Sequence, residues 1–148
     1  VVIKKNKTMI KMKKPTQKDI YKKERRLKKR LEKEADHLWF EALLGEKCEV
    51  CYKKAVQVHH FYYKSSYPHL RHDLDNGISL CQGCHFLLHF QDPKKIEERI
   101  IKNRGQKWSK DLQKKSLKRL FSFQTILWYN KVIEELKTAI TGGANPKV

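Results

Sequence analysis

All four cysteines and six of the seven histidines of this 148-residue chain fall between Cys48 and His89. The segment reads CEVC, then VHHFYYKSSYPHLRHDLDNGISL, then CQGCHFLLH. Such clustering predicts a metal-stabilised unit. The N-terminus, VVIKKNKTMIKMKK, lacks the apolar core and cleavage site of a signal peptide. The thiols are therefore expected to stay reduced in a cytoplasmic setting and to bind zinc as two Cys-x-x-Cys pairs. Four thiolates from Cys48, Cys51, Cys81 and Cys84 would close a tetrahedral structural Zn²⁺ site. The 29 residues between the pairs exceed a simple zinc-ribbon gap and predict an inserted functional hairpin. A staple suits a module of about 45 residues, which buries too little apolar area to fold well alone.

The histidines form a second set. His85 and His89 share one face of a helix expected from Gln82, so their rings can converge on one ion. His59 and His60 are adjacent in an expected strand and point to opposite faces. One can join the metal while the other meets a different group. Three imidazoles suit Zn²⁺, Ni²⁺, Co²⁺ or Mn²⁺ better than Mg²⁺, and leave positions open for water or a phosphate oxygen. The remaining histidine titrates near neutrality and can act as a general base. His69 and His72 lack a ligand spacing and are expected at the surface or facing DNA. Asn76 before Gly77 reads equally well as a turn residue.

The formal charge of +18 points to a polyanion, most simply nucleic acid. Residues 1–44 carry 15 Lys/Arg against 6 Asp/Glu and residues 91–148 carry 14 against 6, whereas residues 45–90 carry 5 against 4. A nearly neutral centre is thus flanked by two basic arms. Because the arms address phosphates rather than sugars, they suit DNA and RNA alike. No apolar run approaches the ~20 residues of a membrane span, and no membrane partner is expected.

Four segments follow. Residues 1–14 read as a flexible basic tail. Residues 15–45 read as a basic helix, capped by Thr16 with Asp19 and stopped by Gly45. Its charged first half should project, with Lys22, Arg25, Arg26, Lys29 and Arg30 as phosphate contacts. Its second half, with Leu38, Trp39, Ala42 and Leu43, should pack. Residues 46–91 form the metal module, with a strand through Val56, Val58 and Phe61-Tyr62-Tyr63, a tight turn at Asn76-Gly77, and a short helix. Residues 92–148 are expected to be helical, with one long helix from Lys110 to about Ile140 and a frayed tail from Gly142. Its apolar stripe, which includes Leu117, Leu120, Phe121 and Leu127, reads as core or as the seam of a homodimer. The fold class is α+β, mainly helical, with a zinc-stapled ββα unit.

The order His60, Asn76, His85 between Cys-x-x-Cys pairs resembles the HNH endonucleases, a ββα-metal superfamily. The wording VHHFYY…LRHDLDNGISLCQGCHFLLH is similar to HNH proteins of bacteriophages, including recombination nucleases of the Rap/NinG type that act on branched DNA. The resemblance covers roughly residues 47–91. It implies that His60 is the general base and that Asn76 orients its ring. It further implies that His59, His85 and His89 hold one catalytic divalent ion (Mg²⁺, Mn²⁺, Ni²⁺ or Zn²⁺). Leu88 stands where many relatives carry a basic residue, so Arg71 becomes the expected phosphate clamp. The implied reaction is phosphodiester hydrolysis leaving 5′-phosphate and 3′-hydroxyl ends. A zinc-stapled nucleic-acid-binding module without catalysis would explain the cysteines and charge, but not the five residues His59, His60, Asn76, His85 and His89 together.

Overall fold

The computed structural model describes residues 14–118 and 123–142. All but Lys14 of the expected N-terminal tail, the stripe residues Leu120 and Phe121, and all but Gly142 of the expected C-terminal tail lie outside the described residues. Helix α1 (Gln17–Leu43) opens with a capping box, in which Asp19 N–H donates to Thr16 Oγ1 and Thr16 N–H to Asp19. Leu31, Ala35, Trp39 and Leu43 recur every fourth residue, so they form one stripe. That stripe is buried against Tyr129, Ile133 and Leu136 of α5 (Ile126–Thr141). Residues 17–26 of α1 are exposed and reach beyond this contact. Gly45 does not stop the helix through a left-handed turn. The chain leaves in extended conformation at Leu44, and buried Ser79 closes the end by donating to the Leu43 carbonyl and accepting from Gly45 N–H.

A second core holds the module. Strands β1 (Gln57–His60) and β2 (Gly77–Leu80) pair antiparallel, with His59 opposite Ile78 and His60 opposite Gly77. Helix α2 (Gln82–Phe90) follows and completes a ββα unit. Cys48, Val50, Ile78, Leu80, Cys84 and Leu88 pack there with Ile96 and Ile100 of α3 (Pro93–Arg104). Arg104, the last residue of α3, bonds Glu49 at 2.6 and 2.9 Å and the Gly77 carbonyl at 2.6 Å. It thereby ties the first cysteine loop to the start of β2. The chain is mainly helical around a two-stranded sheet, as the sequence pattern predicts.

Three local expectations change. The strand ends at His60 rather than running through Tyr63, because the Asn76 side chain takes the place of a pairing strand. Its Oδ1 accepts from Tyr62 N–H at 2.7 Å and its Nδ2 donates to the Tyr62 carbonyl at 3.0 Å. Asn76-Gly77 is not a tight turn. Asn76 ends a 3₁₀ turn (Leu74–Asn76), and Gly77 begins β2 in extended conformation. The single C-terminal helix is two, α4 (Gln106–Ser116) and α5. Leu117 and Leu127 are 77% and 80% exposed, so the stripe between the two helices is not one buried face. Thr125 caps α5 by accepting from Trp128 N–H.

Gly77 is there for space. A Cβ on it would collide with Leu43 and lie 2.8 Å from Trp39 Cζ2. Gly77→Ala is expected to destabilise the protein by ~1–3 kcal/mol, the usual cost of overpacking. Gly83→Ala meets nothing within 4 Å and is expected to be neutral or to stabilise by up to ~1 kcal/mol. Urea unfolding of the two variants checks the contrast, and equal midpoints would refute the packing account.

Candidate functional site

The four thiols come together from two loops and a helix end. Cys48 and Cys51 lie on a turn closed by Tyr52 N–H to the Cys48 carbonyl and by Cys48 N–H to the Lys53 carbonyl. Tyr52 sits in the left-handed region at φ 62° to allow it. Cys81 caps α2, accepting from Cys84 N–H, and Cys84 lies on its first turn. The four sulfurs lie within 4.8 Å of one another, with Cys51 and Cys81 at 3.5 Å. Burial opposes ionisation of Cys81, but the Cys84 amide and the neighbouring thiols outweigh it and bring this thiol down to about 7. Four converging sulfurs with an ionisable member are the donor set of a closed zinc site.

A second group forms where β1 meets α2. His59, His85 and His89 place ring nitrogens within 4.8 Å of one another, and the Nε2 atoms of His85 and His89 are 3.2 Å apart. Burial, then the charges of His89, His85 and His60, push His59 down to about 3. Burial and His89 also lower His85. Neutral imidazoles at physiological pH are what a divalent ion requires, so the residues fit one. This group borders a cleft of about 330 Å³ with His60, Lys64 and Ser65 on the same rim.

His60 lines the same cleft with its ring set against α1. Its ring stacks on Trp39 with centroids 4.1 Å apart and planes 10° from parallel. Its Nε2 lies 2.9 Å from the Arg71 carbonyl. A carbonyl can only accept, so Nε2 carries the hydrogen and Nδ1 keeps its lone pair. Burial lowers the His60 pKa, opposed by the bond to the Arg71 carbonyl.

Two expected roles change. Asn76 does not hold the His60 ring. Fully buried, it bonds the backbone of Tyr62 and, through Nδ2 at 3.0 Å, the Leu70 carbonyl. It fixes the loop whose next carbonyl, that of Arg71, meets His60. Arg71 is not a free phosphate clamp either. Its guanidinium is occupied by Asp36 at 2.8 and 2.6 Å and by Glu32 at 3.1 Å. His72, expected at the surface, is buried and bonds Asp36 at 2.8 Å. Burial resists ionisation of Asp36, but His72 and Arg71 outweigh it and hold its carboxyl well below the usual range. Lys22, Arg25 and Arg26 are exposed on the projecting part of α1, and Lys29 and Arg30 are exposed beside its packed stripe.

Trp39, Asp36 and Glu32 are the contributors that sequence reasoning did not assign to the site. Trp39 belongs to the α1 stripe, which predicts burial but not that its partner is His60. The carboxylates carry no spacing signal toward a residue as far along the chain as Arg71, 35 positions from Asp36.

Elemental analysis is expected to find one tightly held zinc per chain on the four thiols, surviving mild chelation. Cys81→Ser should lose it together with cooperative unfolding, because metal binding at such sites is folding free energy. Freely titrating thiols in the native protein would rule this out.

No curated protein and no solved structure matches the chain. Residues 48–91, which hold both metal groups, His60 and Asn76, match the family model described as HNH endonuclease.

Proposed function

We propose that this protein is a metal-dependent endonuclease of the HNH kind that hydrolyses DNA phosphodiester bonds, with His60 as general base. One observation carries the reading. A histidine whose Nε2 is fixed on a carbonyl, leaving Nδ1 as acceptor, borders the same cleft as three convergent imidazoles. The match of residues 48–91 to HNH endonucleases supports a nuclease, and the +18 charge supports a nucleic-acid substrate.

His59, His85 and His89 would hold the catalytic ion. When bound, a divalent ion supplies Lewis-acid charge to the scissile phosphate and leaving oxygen. The residues of the chain do the rest. His60 Nδ1 takes the proton of the attacking water, and the Arg71 carbonyl stabilises the imidazolium through Nε2–H. The Trp39 indole fixes the plane of the ring, so the lone pair of Nδ1 keeps its direction. Lys64 places a cation at the rim where a phosphate would arrive. In-line attack leaves 5′-phosphate and 3′-hydroxyl ends. The resemblance to phage recombination nucleases extends the substrate to branched DNA.

His60→Ala is expected to lower the cleavage rate by ~10²–10⁴-fold while thiol-bound zinc and DNA affinity persist. Retention of more than about a tenth of the rate would remove His60 as the base. Incubation with linear, nicked, branched and single-stranded DNA and with RNA, each with Mg²⁺, Mn²⁺, Ni²⁺ or Zn²⁺, identifies substrate and metal. No cleavage in any combination would defeat the proposal.

The exposed residues of α1 supply affinity rather than chemistry in this reading. Replacing Lys22, Arg25, Arg26, Lys29 and Arg30 by glutamine is expected to weaken binding on all sequences alike. The slope of log K against log salt should flatten by up to about 4 units, at ~0.9 per phosphate contact. An unchanged slope would assign this surface to solvent or to a partner subunit.

A further inference from the structure

Among the described α-helices of this strongly charged chain, α2 is the least charged. Its sequence, QGCHFLLHF, has no Asp, Glu, Lys or Arg. Cys84 and Leu88 face the core, and His85 and His89 face the hydrolytic cleft. The side opposite the core holds Phe86 and Phe90, one turn apart with ring centroids at 5.0 Å. They are 49% and 74% exposed, and Leu87 beside them is also exposed. Surface helices ordinarily put charged or polar residues on that side. A paired aromatic surface there, one step around the helix from the hydrolytic histidines, calls for a partner that stacks.

The surroundings say which partner. Phe86 and Leu87 line a groove of about 630 Å³ whose cations are Lys53, Lys95 and Arg99. The one acid in that lining, Asp92, already caps α3 by accepting from Lys95 N–H. A lipid tail or an apolar protein surface gains nothing from three cations. A nucleotide strand presents both features required, phosphates for the lysines and arginine and π-faces for the rings. Bases inside a duplex are covered by their stacked neighbours, so only unpaired bases can use the rings.

We infer that Phe86 and Phe90 form a stacking platform for unpaired nucleotides of the substrate, next to the bond that is cut. This deepens the nuclease reading by naming a substrate class, and it rests on that reading for the location of the cut. Base–aromatic stacking contributes a factor of roughly 5–150 in affinity per base.

The test measures binding of the whole zinc-loaded 148-residue chain carrying His60→Gln, so that substrate is not consumed. The probes are a labelled blunt duplex and the same duplex with a single-stranded tail of several nucleotides. The tailed probe is expected to bind about tenfold or more tightly. Phe86→Ser combined with Phe90→Ser should erase that preference while leaving the blunt-duplex affinity and the salt slope unchanged. In a second measurement, Phe90→Trp provides an indole whose emission the tail should quench and the blunt duplex should not. Equal affinity for both probes, or equal loss on both in the double variant, overturns the platform. So does a dimer that dissociates in the double variant, since the rings would then cover a second copy. A tail preference together with no cleavage by the unsubstituted protein would uphold the platform and defeat the nuclease proposal. Cleavage without tail preference would do the reverse.

Discussion

The buried carboxamide of Asn76 is the constraint on which the rest of the site depends. A buried amide left without partners is costly, and here one side chain meets three backbone groups of Tyr62 and Leu70. That closes the loop from the end of β1 to the start of β2. The loop carries the Arg71 carbonyl, and the carbonyl sets which nitrogen of His60 holds the proton. Lys115 reinforces the same loop from α4, bonding Asp73 at 3.0 Å and Asp75 at 2.6 Å. Trp108 adds a bond to the Asp75 carbonyl. The tautomer of His60 is thus fixed by a backbone carbonyl, which a hydrated loop would not hold in place.

Helix α1 changes character along its length. Its projecting part carries exposed cations, while the packed part carries Glu32 and Asp36 on Arg71 and Glu34 beside Lys137. The same helix therefore offers exposed cations along its first turns and two partly buried carboxylates, Glu32 and Asp36, to Arg71. Tyr129 of α5 donates to Glu32 at 2.8 Å, so α5 takes part in holding Arg71. Helix α1 is thus a direct neighbour of His60 through Trp39, and α5 is a neighbour of His72.

Much of this was legible in the sequence because it rests on local spacing. The Cys-x-x-Cys pairs, the i,i+4 histidines and the capping box at Thr16 each place their partners within a turn or a knuckle. What was not legible depends on long-range contact. Nothing near Arg71 reveals that Asp36 will claim its guanidinium, and a phosphate-binding arginine looks the same in sequence. Asn-Gly reads as a turn from local propensity, whereas Gly77 answers to the bulk of Leu43 and Trp39 arriving from α1. The break between α4 and α5 was hidden because apolar residues continue across it at helical spacing while leaving Leu117 and Leu127 in solvent.

The pairing of α1 with α5 also sets an order in time. Glu32 and Tyr129 are 97 residues apart, which a ribosome covers in roughly 5–20 s. During that interval the zinc module can close on its own thiols, since its cysteines and strands are complete much earlier. The indole behind His60 and the carboxylates behind Arg71 lack their packing until α5 has been made. A nascent chain therefore brings its cysteine and histidine groups together first and gains the firm seat of His60 only once α5 has packed on α1.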